Sequence, residues 1–307
     1  MAAPRAAPIP QRPPAKQMRL VGSADALVPD ADTDAVCWVC CEGAESTALL
    51  STGCACRGSG GRAHVSCLVA SAQHNVARWT SCPTCRQDWT GEMEVQLALA
   101  RWEGVRARPA DDAERLFVAN NLAVTLQESA GDFRRAAALL EEVLAVRRAT
   151  LGDMHPDTLD SMTNLALHHT EAGNLCASLE LSQEVVARHR NRQALGEQVT
   201  DEEVAHAIGS LAAVHNLMGN GALAEPLHRE ALAIRERLLG SDHIDTLNSR
   251  YGLGRSLVQL GRHEDGFGLL ENVSACAHRV FGAKHPTCQH FQRGLASLKQ
   301  GTGPAES

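Results

Sequence analysis

Aromatic side chains are scarce in this chain: one Tyr, four Trp and five Phe among 307 residues, 3% in all. Sheets draw heavily on aromatic and β-branched residues, so the shortage argues against a β-sandwich or barrel. It favours helices rich in Ala and Leu. Long apolar runs are also missing. Nothing approaches the roughly 20 residues of a membrane-spanning helix, and Pro4, Pro8, Pro10, Pro13 and Pro14 break the start. A basic field is lacking too: the formal net charge is −7, which gives no support to nucleic-acid binding. No Ser-His-Asp set, phosphate loop or carboxylate pair occurs at a usable spacing. Cysteine is sparse outside one stretch. Of eleven, only Cys176, Cys276 and Cys288 lie beyond residues 37–85. A secreted disulfide scaffold would be short and would follow a signal peptide. The expectation is a soluble protein in a reducing compartment, cytoplasmic or nuclear, whose clustered cysteines bind metal.

What is present divides the chain. Residues 1–34 are rich in Ala, Pro and polar groups, which predicts a disordered tail. Arg5, Arg12, Lys16 and Arg19 occur there without an acid in the first twenty residues. That faintly resembles an organelle transit peptide, but the prolines and the lack of an amphipathic face favour a plain tail. Residues 35–90 hold the cysteine block, 91–110 read as a linker helix and hinge, 111–299 as a helical repeat array, and 300–307 as a second disordered tail.

The repeat array is signalled by two independent markers. Gly131, Gly173, Gly219 and Gly261 are spaced 42, 46 and 42 residues apart. Leu151-Gly152, Leu195-Gly196, Leu239-Gly240 and Phe281-Gly282 are spaced 44, 44 and 42. Two markers of one period predict a solenoid of about four helix pairs and a C-terminal helix. Leu116, Ala119, Leu122, Ala123 and Leu126 share one helical face before Gly131. Ala136, Leu139, Leu140, Val143 and Leu144 share another after it. Thr200-Asp201-Glu202-Glu203 has capping-box form, and Pro156 and Pro286 suit first helical positions. Basic residues gather near the ends of second helices, at Arg147, Arg148, Arg188, Arg190, Arg192, Arg235 and Arg237, where the helix dipole favours cations.

The cysteine block reads Cys37-x2-Cys40, thirteen residues, Cys54-x-Cys56, seven residues, His64-x2-Cys67, fourteen residues, Cys82-x2-Cys85. Closely spaced thiolates can bite one tetrahedral ion from a tight turn. Four pairs supply eight ligands, enough for two closed structural zinc sites with no open position for catalytic water. Two arrangements fit the spacing: neighbouring pairs in separate fingers, or alternate pairs interleaved. Cys41 stands beside Cys40 as a spare small residue.

The order and gaps of this block resemble the RING-CH (RINGv) variant of the RING domain, found in membrane-associated RING-CH ubiquitin ligases. The carriers are Cys54-Ala55-Cys56, the seven-residue gap with Gly58-Ser59 inside it, and His64-Val65-Ser66-Cys67-Leu68. The resemblance implies an interleaved cross-brace. Cys37, Cys40, His64 and Cys67 would hold one zinc ion, and Cys54, Cys56, Cys82 and Cys85 the other. It also implies a docking surface for a ubiquitin-conjugating enzyme, made of Val39 with Trp38 beside it, Pro83, and the cation Arg86. One family feature is missing: Ser71 stands where a tryptophan usually follows the sixth ligand, and Trp79 lies later, where it could pack under the second zinc site.

The repeats resemble tetratricopeptide repeats of the kinesin-light-chain type. The carriers are Leu151-Gly152-Asp153-Met154-His155-Pro156-Asp157-Thr158-Leu159, its copy from Leu239 to Leu247, and a third start at Phe281. The third unit departs, with Gln198-Val199-Thr200 in place of the His-Pro element. His155, His243 and His285 occupy equivalent positions on different units, so they suit turns or caps and not a shared metal. Stacked helix pairs make a curved surface that binds peptides or proteins. Asn121, Asn164, His168 and His215 are candidates for that groove, or for hydrogen bonds between helices. The expected fold is therefore a small zinc-stabilised RING-CH domain plus an all-α tetratricopeptide-like solenoid. The expected function is a ubiquitin ligase that recruits a charged conjugating enzyme through its zinc domain and a substrate through its repeats. The alternative, favoured by Ser71, is a non-enzymatic interaction scaffold.

Overall fold

The computed structural model describes residues 36–43, 48–52, 61–73, 75–283 and 285–301. The cysteine block contributes a two-stranded antiparallel sheet, β1 (Leu49–Ser51) and β2 (Arg62–His64), with Leu49 opposite His64. Helix α1 (Val65–Gln73) follows directly, then one 3-10 turn, Val76–Trp79. Helix α2 (Gly91–Val105) leads into the array: α3 (Ala113–Ala130), α4 (Phe133–Leu151), α5 (Pro156–Glu171), α6 (Leu175–Ala194), α7 (Asp201–Leu217), α8 (Gly221–Leu239), α9 (Ile244–Gln259), α10 (His263–Phe281) and α11 (Pro286–Gly301). Each helix of the array packs on the next, and α5 with α7, and α7 with α9, also touch.

The period has a backbone cause. Every marker glycine lies in the left-handed region, with φ from +66° at Gly131 to +85° at Gly282. A side chain there would be strained, so glycine recurs wherever the chain reverses. The starts are as regular. The Nδ1 atoms of His155, His243 and His285 accept from the N–H two residues on, at 3.2, 3.3 and 3.3 Å. In the departing third unit Thr200 does this work, in a reciprocal capping box with Glu203. Asp112 and Asp132 cap α3 and α4.

The basic residues at the ends of second helices do more than face the dipole. Arg147 donates to Asp157 O and Ser161 Oγ, both at 2.8 Å. Two repeats later Arg235 makes the same bridge, to Asp245 O at 3.3 Å and Ser249 Oγ at 2.8 Å. Each ties one second helix to the next first helix. Arg148, Arg190, Arg192 and Arg237 are ion-paired with Glu184, Glu230, Glu197 and Asp201.

Four apolar cores result among the described residues, the smallest of them Leu116, Ala119 and Val143 where α3 meets α4. One runs from Leu122 in α3 to Ala231 in α8. A second lies under α9 to α11, around Leu247, Leu270 and Phe291. The third belongs to the cysteine block and includes Met93 and Leu97 of α2. The opposite side of α2 lies on the array: Ala98, Leu99 and Trp102 pack against the first core, and Arg115 stacks over Trp102 at 5.8 Å. The segment expected to be a linker helix and hinge is thus packed on two sides.

A buried polar knot joins α7, α8 and α9. Asn216 Nδ2 donates to Gly252 O at 2.8 Å and lies 3.0 Å from His228 Nε2, while Ser256 donates to Asn216 Oδ1 at 2.8 Å. A Cβ on Gly252 would sit 2.2 Å from the His228 ring, so only glycine fits. Gly252→Ala should therefore cost about 1–3 kcal/mol by overpacking, read as a lowered denaturant midpoint at an unchanged slope.

Burial, followed by the charges of Arg255 and Arg235, lowers the His228 pKa to about 4. The folded value lies below the free value of about 6.5. Stability is therefore full above pH 6.5, declines as pH falls toward 4, and levels off below that. Burial also lowers His168, His189 and His215, with the same sign. Denaturant midpoints should fall between pH 7.5 and 4.5, and His228→Gln should flatten part of that slope. A pH-independent midpoint would refute this account.

Candidate metal centre and repeat surface

Two tight turns carry cysteine pairs, and they are built alike. In the first, Cys41 N donates to Cys37 O at 2.7 Å and Cys37 N to Glu42 O at 2.8 Å. Val39 N points at Cys37 Sγ from 3.4 Å. In the second, Arg86 N donates to Cys82 O at 2.9 Å and Cys82 N to Gln87 O at 2.8 Å. Thr84 N points at Cys82 Sγ from 3.4 Å. The residue closing each turn has positive φ, +64° at Cys41 and +59° at Arg86, and among the described residues these are the two non-glycines that do. Cys41 is therefore no idle spare: its backbone closes the turn that aims Cys37 and Cys40.

The first turn meets the junction of β2 and α1. His64 ends the strand and Cys67 lies in the first turn of the helix, so both face the same point. The ligand atoms of Cys37, Cys40, His64 and Cys67 all lie within 4.8 Å of one another. His64 Nδ1 is 3.4 Å from Cys40 Sγ and 3.8 Å from Cys67 Sγ. For tetrahedral zinc, with Zn–S near 2.3 Å and Zn–N near 2.0–2.1 Å, a sulfur–nitrogen separation of about 3.5 Å is expected. The tautomer fits as well. His64 Nε2 lies 3.1 Å from Gly43 O. A carbonyl only accepts, so Nε2 carries the proton and Nδ1 keeps its lone pair for a metal.

The electrostatics of the cluster suit a cation. Burial raises the Cys37 thiol, but the N–H groups of His64, Cys40 and Val39 together outweigh it and bring the thiol to about 7. Burial, the hydrogen bond with Cys40, and the neighbouring charges push Cys67 up to about 12. Three sulfurs so close cannot all ionise unless a positive charge sits among them. This Cys3His set fits one zinc ion in a closed structural site.

Of the second expected set, Cys82 and Cys85 occupy the second turn, while Cys54 and Cys56 lie outside the described residues. Cys82 is buried and Cys85 half-buried. Val39 is 40% exposed, Pro83 and Arg86 are exposed, and Trp38 is half-buried against the block's core. The tryptophan packed beside Cys82 is Trp89, at 1% exposure, and not Trp79. Trp89 Nε1 donates to Arg78 O at 2.9 Å. The spacing carried no signal for it, because it follows the last cysteine instead of lying between ligands. Ser71 accepts from Arg78 Nη1 at 2.5 Å, which gives it a local partner in place of an aromatic docking role.

On the array, Asn164 donates to Asn120 Oδ1 at 2.9 Å, and His168 pairs with Gln127. Both residues bridge first helices of adjacent repeats. His215 is buried, and Asn121 is half-buried. An open groove of about 600 Å³ lies elsewhere, between α8 and α10 over α9, with Leu253 and Leu257 as floor and Arg229, Arg250 and Arg262 at its rim. None of these arginines falls on the repeat period, so sequence reasoning missed them.

Residues 114–191 and 203–265 match a family model described as tetratricopeptide repeat, and 246–287 match a second of the same description. The helical array belongs to the tetratricopeptide-repeat family. It resembles solved structures of nearly identical TPR-like repeats of the kinesin-light-chain kind from Podosopora anserina. One, a Q17M form, has 24% identity over 69% of this chain and 92% of that one, with a TM-score of 0.51. Another has 24% identity over 70% and 93%, with a TM-score of 0.50. BtubC (BKLC) from P. vanneervenii matches at 19% identity over 78% and 84%, with a TM-score of 0.50. At these identities the likeness concerns the fold. No curated protein matches the chain. The matched models begin at residue 114, so the cysteine block stands on its own geometry. No helix among the described residues is long and apolar enough to cross a membrane.

Replacing His64 with Ala removes the only nitrogen ligand and should weaken zinc binding by more than about 100-fold, since even outer-shell changes cost 10–100-fold. Elemental analysis after dialysis reads this as the loss of one equivalent. Full retention of metal would exclude the Cys3His site.

Proposed function

We propose that this chain is a protein-interaction scaffold, in which the repeat array holds a protein or peptide segment and the zinc module presents a second docking surface. The observation that carries this reading is the continuous tetratricopeptide-repeat array, four helix pairs and α11, since stacked helix pairs of this kind make extended binding surfaces. The open groove over α9 offers such a surface. Charge reversal at its rim, Arg250→Glu with Arg262→Glu, should abolish partner cross-links to α9 and α10 while leaving the fold's circular dichroism unchanged. Cross-links that persist unaltered in the double variant would remove the groove from the proposal.

A second reading is favoured by the matched turns of the cysteine block together with exposed Val39, Pro83 and Arg86. In it the block is a RING-CH-type domain with two zinc ions, the second on Cys54, Cys56, Cys82 and Cys85, and the chain is a ubiquitin ligase. Such a domain acts by holding the conjugating enzyme's thioester in a reactive pose, through positioning and charge-assisted hydrogen bonds. Arg86 would supply the bridging cation with its planar fork. This reading requires two zinc equivalents and ubiquitin chains built with some member of a broad panel of conjugating enzymes. Arg86→Ala should slow chain building about tenfold or more, and Cys67→Ser should abolish it. Silence across the whole panel leaves the scaffold alone.

A further inference from the structure

Helix α2 is apolar on two faces, and each face belongs to a different core. Met93 and Leu97, one turn apart, are fully buried in the cysteine block beside Cys37, Cys82, Leu68 and Trp89. Ala98, Leu99 and Trp102 pack against the array, and Trp102 reaches Leu116 and Ala119 of α3 and Val143 of α4. Three further contacts fasten the same seam. Ser129, near the end of α3, donates to Glu94 at 3.0 Å, so α2 and α3 run antiparallel like the helices of a repeat. Arg101 and Arg115 lie over Phe117 and Trp102 at 5.5 and 5.8 Å.

We infer that metal binding at the Cys3His cluster holds α2 in place as the N-terminal cap of the array, so that order in the first repeat depends on the metal. This inference rests on the zinc-module reading. A solenoid's terminal repeat exposes an apolar flank unless something covers it. Here α2 covers α3, and what covers the other face of α2 is the cysteine block. That block has short elements among its described residues, and Cys37, Cys40, His64 and Cys67 converge at its centre, where a metal would tie β2, α1 and the first turn together. Structural zinc contributes folding free energy directly to such small modules. Removing it unpacks Met93 and Leu97. Helix α2 then keeps its packing on α3, but its other face becomes apolar and wet, so its hold on the first repeat weakens.

The test is hydrogen exchange on the full chain, with zinc and after chelation, with metal content measured in the same samples. Chelation should raise exchange at least tenfold through α2, α3 and α4 and leave α9 to α11 unchanged. Trp102→Ala should keep its zinc, but its α3 and α4 should exchange at the metal-free rate whether or not chelator is added. Unchanged exchange in α3 and α4 after measured zinc loss overturns the inference. A uniform rise through α11 also overturns it, because that is global unfolding and not loss of a cap. A Trp102→Ala chain that still responds to chelation in α3 and α4 shows that α2 is not the route. A chain that holds no zinc at any stage overturns the underlying zinc-module reading and this inference with it.

Discussion

Three thiol sulfurs and an imidazole nitrogen lie within 4.8 Å of one another, an arrangement that fits a single tetrahedral cation. The rest of the N-terminal architecture follows from it. The described residues of the block form two three-residue strands and one nine-residue helix, a small apolar core for an independent fold. A metal on the Cys3His set would supply the centre, and α2 supplies Met93 and Leu97 to the block's core. Met93 and Leu97 are as much part of the module as its ligands, although they come from a helix that also serves the array.

The array is held by a different logic, local and repeated. Positive-φ glycines end helices, and histidine or threonine caps begin them. The histidine caps are unusual because imidazole accepts through Nδ1 only while that nitrogen is unprotonated. The third unit makes the same turn with Thr200 and Glu203, so capping is conserved in function while its chemistry changes. Between repeats, Arg147 and Arg235 bind the next first helix through backbone and hydroxyl oxygens. These arginines are geometric clamps.

What was legible in the sequence was whatever repeats or has fixed spacing. The 42–46-residue period, the glycine turns and the cysteine pairs are all local patterns, and local patterns survive translation into structure. What was not legible depends on partners far apart in the chain. Helix α2 reads as a linker because its two apolar faces blur into weak periodicity, and only packing against two cores separates Met93 and Leu97 from Ala98 and Trp102. Trp79 and Trp89 are alike in sequence, and the fold alone selects Trp89 for burial. Asn164 and His168 read equally as groove residues or as inter-helix hydrogen-bonders, and their partners Asn120 and Gln127 sit one repeat back. A register between helices decides that, and composition does not record it.

The shared helix also bears on what a scaffold of this kind can do. Two binding modules on a flexible linker raise the effective concentration of their partners but fix no angle between them. A helix buried in both modules fixes distance and orientation together. A partner on the array and another at Val39, Pro83 and Arg86 would then meet in one geometry. A ligase needs that constraint to bring a lysine to a thioester, and an assembly platform needs it to build one complex and not several. On the inferred role of the cluster, the metal would be a structural condition for that geometry, because α2 packs on the cysteine block and the first repeat alike.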